Sequence, residues 1–307
     1  MKMNKIIISS RASKLAVWQT NYIADQLRKK IKNIELEILK LNTLGDIRLD
    51  TELSKIGGKG LFLKELEESL IKKQSDISVH SLKDVPVVLA DGFKIIANSV
   101  RDDPRDVLIS NKIVNSNDKL RIGTSSLRRQ YQLAKFYPDA KFIPIRGNIH
   151  TRIAKLNSGE FDAIVLAYAA IKRMSLEKLV TRIFKLEECV PAPGQGIISI
   201  EAFKPSSSFE KEISIINDKD STLCSQLERN IGRLVSADCT MPIGCNVSIN
   251  NSEQKIQILF YIADVSGSKD ISIKKDYKID TPLQRILMDF KEILEENHIH
   301  KIINTFK

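Results

Sequence analysis

Apolar and polar positions run through the first two thirds of the chain in a strand, helix, strand rhythm. Ile6 to Ser9 reads as a buried strand, and Leu15, Trp18, Tyr22, Ile23 and Leu27 then share one helical stripe. Ile34, Leu36 and Ile38 alternate as a second strand, Phe62, Leu66 and Leu70 line a helix face, and Ile77 with Val79 begins a third strand. That order predicts a mainly parallel sheet with helices on both faces. The polar, proline-broken stretch Arg101-Asp102-Asp103-Pro104-Arg105 reads as a linker. Beyond it, Asp106 to Ser110, Arg121 to Thr124, Phe142 to Arg146 and Ala163 to Ala167 read as strands, with helices starting near Ser125, Asn148 and Tyr168. Pro191-Ala192-Pro193-Gly194-Gln195-Gly196 breaks the chain again, and Ile197 to Ile200 reads as a strand returning to the first domain. A double crossover of that kind makes a hinged cleft.

After Lys204-Pro205-Ser206-Ser207-Ser208 the character changes. A helix from about Ser221 to Val235 is followed by strand-like segments between Cys245 and Tyr277 and a terminal helix from about Leu283 to Glu296. The expected architecture is α/β: two hinged, doubly wound domains, residues 1–98 with 197–216 and residues 102–190, plus a small α+β domain over 219–307.

Composition narrows the function classes. An apolar fraction of 42% and a charged fraction of 28% are those of a soluble globular protein, with no apolar run of membrane-spanning length. The apolar stretch after Met1 is too short for a signal peptide, which points to the cytosol. Cys189, Cys224, Cys239 and Cys245 form no Cys-x-x-Cys pair, so neither a disulfide framework nor a zinc site is expected. The pair His298 and His300 is poor evidence for a metal, and none is expected. The formal charge of +10 invites a nucleic-acid reading, yet aromatic residues make up only 6% and no basic-aromatic RNA-binding motif occurs.

Candidate chemistry sits at the ends of the strands. In Val79-His80-Ser81-Leu82-Lys83-Asp84-Val85-Pro86, one acid lies between a lysine and a proline-stopped turn, just after an apolar strand. A carboxylate held there can stabilise a developing cation or shuttle protons. Arg11 follows the first strand, Arg128 and Arg129 follow Gly123-Thr124-Ser125-Ser126, Arg146 ends a strand and Arg152 lies one turn into the next helix. In open α/β sheets ligands bind beyond the carboxyl ends of the strands, where helix N-termini add donors for anions. Arginine forks match carboxylates, so five of them around one crevice imply a polyanion.

Four longer motifs carry a resemblance. Lys55-Ile56-Gly57-Gly58-Lys59-Gly60-Leu61-Phe62, Asp76 to Pro86, Gly123 to Gln130 and Arg146-Gly147-Asn148 resemble the signatures of the porphobilinogen deaminase, or hydroxymethylbilane synthase, family. The match runs from about Ile6 to the end of the chain, dense up to Gly196 and thin after Gly244. The resemblance implies an enzyme of porphyrin and haem biosynthesis whose first two domains are built like type II periplasmic binding proteins. Such an enzyme joins four porphobilinogen units head to tail with loss of ammonia, on a dipyrromethane primer held by a cysteine thioether. It also implies a cytoplasmic monomer with neither nucleic acid nor membrane as partner. The acetate and propionate on every ring supply the polyanion that the arginines call for.

By that resemblance Cys239, within Asp238-Cys239-Thr240-Met241-Pro242, is the attachment site and Asp84 the catalytic residue. Ser13, Ser81, Lys83, Asp84, Thr124, Ser126, Arg128 and Arg129 would hold the primer. Arg11, Arg146, Arg152 and Arg173 would receive substrate, with Lys55 and Lys59 in a Gly-rich loop as further candidates. The family usually has glycine before the cysteine; this chain has Ala237-Asp238, and an adjacent carboxylate disfavours the thiolate. His80 reads as a packed support for the turn. The rival readings are a two-lobed anion-binding protein without catalysis and a basic nucleic-acid binder; neither accounts for Cys239 and Asp84 together.

Overall fold

A computed structural model of the chain describes residues 5–43, 63–235 and 241–306. These residues form strands β1 (Lys5–Arg11), β2 (Glu35–Leu41), β3 (Ile77–Ser81), β4 (Phe93–Asn98), β5 (Asp106–Ser110), β6 (Arg121–Gly123) and β7 (Lys141–Ile143). Six more follow: β8 (Ala163–Ala167), β9 (Val180–Ile183), β10 (Ile198–Phe203), β11 (Ile243–Asn250), β12 (Lys255–Ala263) and β13 (Asp270–Lys278). The helices are α1 (Lys14–Lys30), α2 (Lys64–Ile71), α3 (Leu127–Ala134), α4 (Ile149–Asn157) and α5 (Tyr168–Arg173), then α6 (Ser207–Ile213), α7 (Lys219–Leu234), α8 (Leu283–Glu296) and α9 (Ile299–Ile303). The chain divides into two compact units, one of residues 1–102 with 196–223 and the other of residues 103–195 with 224–307.

The first unit holds a five-stranded sheet in the order β2-β1-β3-β10-β4. β2, β1 and β3 run parallel, and β10 inserts antiparallel between β3 and β4. Ile6, Ile8, Ile77, Val79 and Ile200 pack with Ile23, Ala24 and Leu27 of α1 on one face. On the other face α2 buries Leu66 and Leu70. The stripe expected on α1 is displaced: the buried positions are Ala16, Gln19, Thr20, Ile23, Ala24 and Leu27, while Trp18 is 37% exposed and stacks on Tyr22. Polar Gln19 and Thr20 take inward places because each finds a partner, Gln19 in Ser81 and Thr20 in the Ala16 carbonyl.

The second unit repeats the plan, in the order β7-β6-β8-β5-β9. β7, β6 and β8 are parallel, and β5 runs antiparallel between β8 and β9. Strand residues alternate between two cores, as a doubly wound sheet requires. Leu108, Ile122, Ala163 and Val165 pack with Leu133 of α3, while Val107, Ile109, Ile164 and Leu166 pack with Leu156 of α4 and Ile171 of α5. The expected mainly parallel sheets thus each carry two antiparallel pairings. In each sheet the inserted strand, β5 or β10, follows directly on a crossing of the chain between units. β4 and β9 were not anticipated, since Phe93-Lys94-Ile95 and Val180-Thr181-Arg182 are too short and polar for periodicity to mark.

A three-stranded antiparallel sheet, β11-β12-β13, completes this unit. Leu259, Tyr261 and Ala263 of β12 pack on Val190 with Tyr131 and Leu186. The Cys245 N–H donates to the Pro191 carbonyl at 2.9 Å, and the Tyr131 hydroxyl donates to the Val265 carbonyl at 2.8 Å. Glu228 of α7 is fully buried and accepts from the N–H groups of Gly194 and Val247, stitching helix, connecting segment and small sheet together.

At the start of β5 the Asp106 carboxylate is 0% exposed and meets two guanidiniums. Arg128 Nη1 lies 2.9 Å from Oδ2, and Arg129 Nε and Nη2 lie 3.1 and 2.7 Å from Oδ1. Gln195 Nε2 adds a bond to Oδ1 at 2.9 Å. Burial alone would raise the Asp106 carboxyl, but the two arginines and these hydrogen bonds hold it well below the usual carboxylate range. The neighbouring Cys189 thiol is pushed up to about 12, by burial first and then by Asp106.

Two outcomes are expected from this packing. An added Cβ at Gly244 would lie 2.6 Å from the Val190 carbonyl oxygen, so Gly244→Ala should cost about 1–3 kcal/mol, read as a lower calorimetric unfolding temperature. Asp106→Asn strands two buried guanidiniums and should cost about 3–5 kcal/mol in urea unfolding. Asp106 binds its proton less readily folded than unfolded. Its stabilising contribution is therefore complete above its unfolded value of about 3.9 and disappears as pH falls toward the depressed folded value, a dependence Asp106→Asn should lack.

Candidate functional site

In the first unit the parallel strands β1, β2 and β3 end at one edge of the sheet. Arg11 closes β1, Ser13 caps α1 by accepting from the Ala16 N–H, and Ser81 closes β3. The chain then makes a 3-10 turn over Leu82–Asp84, secured by the Val85 N–H to the Leu82 carbonyl and by burial of Leu82 and Val85 among apolar residues. This turn presents the Asp84 carboxylate to solvent. Arg11, Ser13, Gln19, Leu63, His80, Ser81 and Asp84 line one pocket, with about 400 Å³ of open space including its mouth. Ser81 and Gln19 exchange side-chain hydrogen bonds at 2.8 and 3.2 Å, which fixes the hydroxyl beside the pocket. Lys83 is part of the same turn.

In the second unit β6, β7 and β8 likewise end together. Thr124 is buried and its Oγ1 accepts from the Ser126 N–H, and Ser126 caps α3 by accepting from the Arg129 N–H. The Ser125 hydroxyl bridges to Ile145, and the Thr124 N–H donates to the Ile143 carbonyl, so the loops after β6 and β7 are tied to each other. Arg146 follows this tie, and Arg152, on α4 capped by Asn148, donates through Nε to the Gly147 carbonyl at 2.8 Å. Arg173 sits in the last turn of α5 and is 8% exposed.

The structure sorts the predicted residues. It brings Arg11, Ser13, Ser81 and Asp84 to one pocket and sets Thr124, Ser126, Arg146 and Arg152 near the strand ends of the second sheet. Arg128 and Arg129, expected as ligand forks, are 5% and 7% exposed, and they bond Asp106, the Val190 carbonyl (Arg128 Nη1) and the Val165 carbonyl (Arg129 Nη1). Lys55, Lys59 and Cys239 lie outside the described residues. Cys189, Cys224 and Cys245 are buried and outside any disulfide. Among the described residues no group of three or more His, Cys, Asp or Glu is placed to hold a metal, and no helix is long and apolar enough to cross a membrane. Sequence reasoning missed Gln19 and Glu201, and with them Asp106. The available signal was a lone acid or amide inside an otherwise apolar element, which marks a buried partner.

The chemistry of the pocket suits a pyrrole bearing acid side chains: one guanidinium and hydroxyls for carboxylates, and one exposed carboxylate for a ring N–H. Comparison with known proteins agrees. The family described as porphobilinogen deaminase, dipyromethane cofactor binding domain, matches residues 6–211. The porphobilinogen deaminase of Campylobacter hominis is 42% identical over 89% of this chain and 89% of its own. That of Francisella philomiragia is 39% identical over 95% and 97%. Among solved structures, the periplasmic VFT2 domain of BvgS from Bordetella pertussis gives a TM-score of 0.41 at 12% identity, covering 70% of this chain and 86% of that one. That likeness is too slight to add to the topology. The sequence matches are of another order: the chain belongs to the porphobilinogen deaminase family, transferases that condense four porphobilinogens into hydroxymethylbilane on a dipyrromethane cofactor.

Proposed function

We propose that the pocket at the end of β1 and β3 is where this condensation takes place, with Asp84 as its catalytic residue and Cys239 as the cofactor anchor. The observation that carries this reading is the exposed Asp84 carboxylate in a pocket shared with Arg11, Ser13 and Ser81. When bound, the dipyrromethane supplies the first acceptor pyrrole. As porphobilinogen loses ammonia, positive charge spreads over its pyrrole, and a fixed carboxylate at the ring N–H stabilises that cation. In its protonated form the same group can give a proton to the leaving amine, and as the carboxylate it can accept the one lost from the acceptor's ring carbon.

The remaining side chains bind and orient. Arg11 with the hydroxyls of Ser13 and Ser81 receives ring carboxylates in the first unit, with Lys83 on the same turn. Arg146, Arg152 and Arg173 receive acids of the growing chain, and Thr124 and Ser126 shape the loop they rise from. Arg128 and Arg129, anchored on Asp106, would hold the primer's carboxylates, and Lys55 and Lys59 remain cation candidates for the substrate. Cys239 lies outside the matched span 6–211, so the anchor rests on its sequence context. We read the protein as a cytosolic monomer without nucleic-acid partners.

Intact mass tests the anchor. The wild type is expected to be heavier than its sequence by two porphobilinogen units less two ammonias, and Cys239→Ser to show its bare sequence mass; a loaded Cys239→Ser protein removes the anchor. For Asp84→Asn, kcat should fall by about 10²–10⁴ with the primer mass retained. Near-normal turnover would move the chemistry elsewhere.

A further inference from the structure

The sheet of the second unit continues past its last strand pair by an unusual link. β6 and β7 pair in parallel as far as Gly123 and Ile143, and the Thr124 N–H still reaches the Ile143 carbonyl at 2.9 Å. The next residue after β7 is Pro144, which brings no N–H, so backbone groups alone cannot carry the ladder on. Ser125 takes over. Its hydroxyl donates to the Ile145 carbonyl at 2.8 Å and accepts from the Ile145 N–H at 3.0 Å. A hydroxyl has one hydrogen and two lone pairs, so both backbone groups of Ile145 are met by one side chain. The Ile145 side chain is 1% exposed and packs in the core with Leu156 of α4.

From Ile145 the constraint passes forward along the chain. Arg146 is the next residue. Gly147 then takes φ +106°, and a Cβ there would lie 2.6 Å from Thr151 Cγ2. Its carbonyl accepts from Arg152 Nε at 2.8 Å, and Asn148 Oδ1 caps α4 by accepting from the Thr151 N–H at 3.0 Å. The stretch from Ile145 to Arg152 is thus defined step by step, and Ser125 links it to the loop after β6. On the other side of Ser125, Ser126 caps α3, and Arg128 and Arg129 in its first turn are anchored on Asp106.

The reaction makes a demand on that link. Each condensation forms a carbon–carbon bond between the methylene of one pyrrole and a ring carbon of another, which must approach to about 3–3.5 Å. Arg128 and Arg129 are proposed to hold the primer's acids, and Arg146 and Arg152 those of the growing chain. Ser125 stands between the two sets in the backbone path that joins them. A displacement of about 1 Å is enough to cost about 10²-fold in rate.

We infer that Ser125 is a positioning residue for the reaction: by bridging to Ile145 where Pro144 interrupts the ladder, its hydroxyl keeps Arg146 and Arg152 in register with Arg128 and Arg129. It acts through the Ile145 backbone and takes no part in the chemistry itself. The inference rests on those arginines having the roles proposed for them.

A double-mutant cycle on the holoenzyme tests it. Ser125 is itself exposed, so in Ser125→Ala water can enter beside Ile145 and the fold should persist. That variant should carry the primer mass and unfold near the wild-type temperature, yet lose about 10²-fold in kcat/KM. Ser125→Thr, which keeps the hydroxyl, should recover most of the loss. In an Arg146→Lys background Ser125→Ala should add little, because the residue it positions is already impaired. Unchanged kcat/KM in Ser125→Ala, a folded and loaded Ser125→Thr protein as slow as Ser125→Ala, or fully additive losses in the cycle would each overturn the inference. So would a loss that follows the folded or loaded fraction, which makes Ser125 a folding residue only. Arg146→Lys alone separates this inference from the function proposed for the arginines. If it turns over normally, that function fails; if it is impaired while Ser125→Ala is not, the inference fails alone.

Discussion

The buried carboxylate of Asp106 is the constraint around which the second unit is arranged. A charge with no exposure survives only with counter-charges and hydrogen bonds at hand. Here these come from two separate stretches, Arg128 and Arg129 at the start of α3 and Gln195 before the return crossing, which meet on the strand β5. Arg128 also reaches the Val190 carbonyl, and the residue after Val190 accepts the hydrogen bond from Cys245 of the small sheet. The ion cluster thus fixes the loop after β6, the connecting segment and the docking of β11 relative to one another.

That cluster explains where reading from sequence succeeded and where it stopped. Apart from β4 and β9, strand-and-helix order in the described part of the first 200 residues was legible because the elements alternate between two cores, as the split of Leu108 and Val165 from Ile109 and Ile164 records. The turn bearing Asp84 was legible because a proline-stopped segment after an apolar strand admits few geometries. That Arg128 and Arg129 meet a buried acid was not. Two arginines at a helix start after a Thr-Ser-Ser loop look the same whether they face a ligand or a buried acid, and Asp106 stands 22 residues earlier, in a run that reads simply as strand. On α1 the large apolar Trp18 and Tyr22 drew the stripe outward, because the partners that let Gln19 and Thr20 turn inward are invisible to periodicity.

The pocket in the first unit shows the same economy of partners at smaller scale. Ser13 and Ser81 each serve the backbone or a neighbour while facing the pocket, one as a helix cap and the other as the partner of Gln19. Their hydroxyls are thereby held in one orientation before anything binds, which lowers the ordering cost of recognition. Asp84 differs: its turn is anchored by Leu82 and Val85 beneath it, so the backbone is rigid while the carboxylate stays open to a ring N–H.

The insertion of β10 between β3 and β4 bears on the order in which the protein takes shape during synthesis. β4, complete at Asn98, pairs within its sheet only with β10, whose last residue is Phe203. The five strands of the second sheet, by contrast, are all synthesised by Ile183, and the partners of Asp106 by Gln195. A ribosome adding about 5–20 residues per second therefore releases a chain whose later sheet can close while the earlier one still waits, for several seconds, with an open edge on either side of the gap. The sheet that begins the sequence is the one that finishes last, and the nascent first half is the stretch most in need of protection from stray strand pairing.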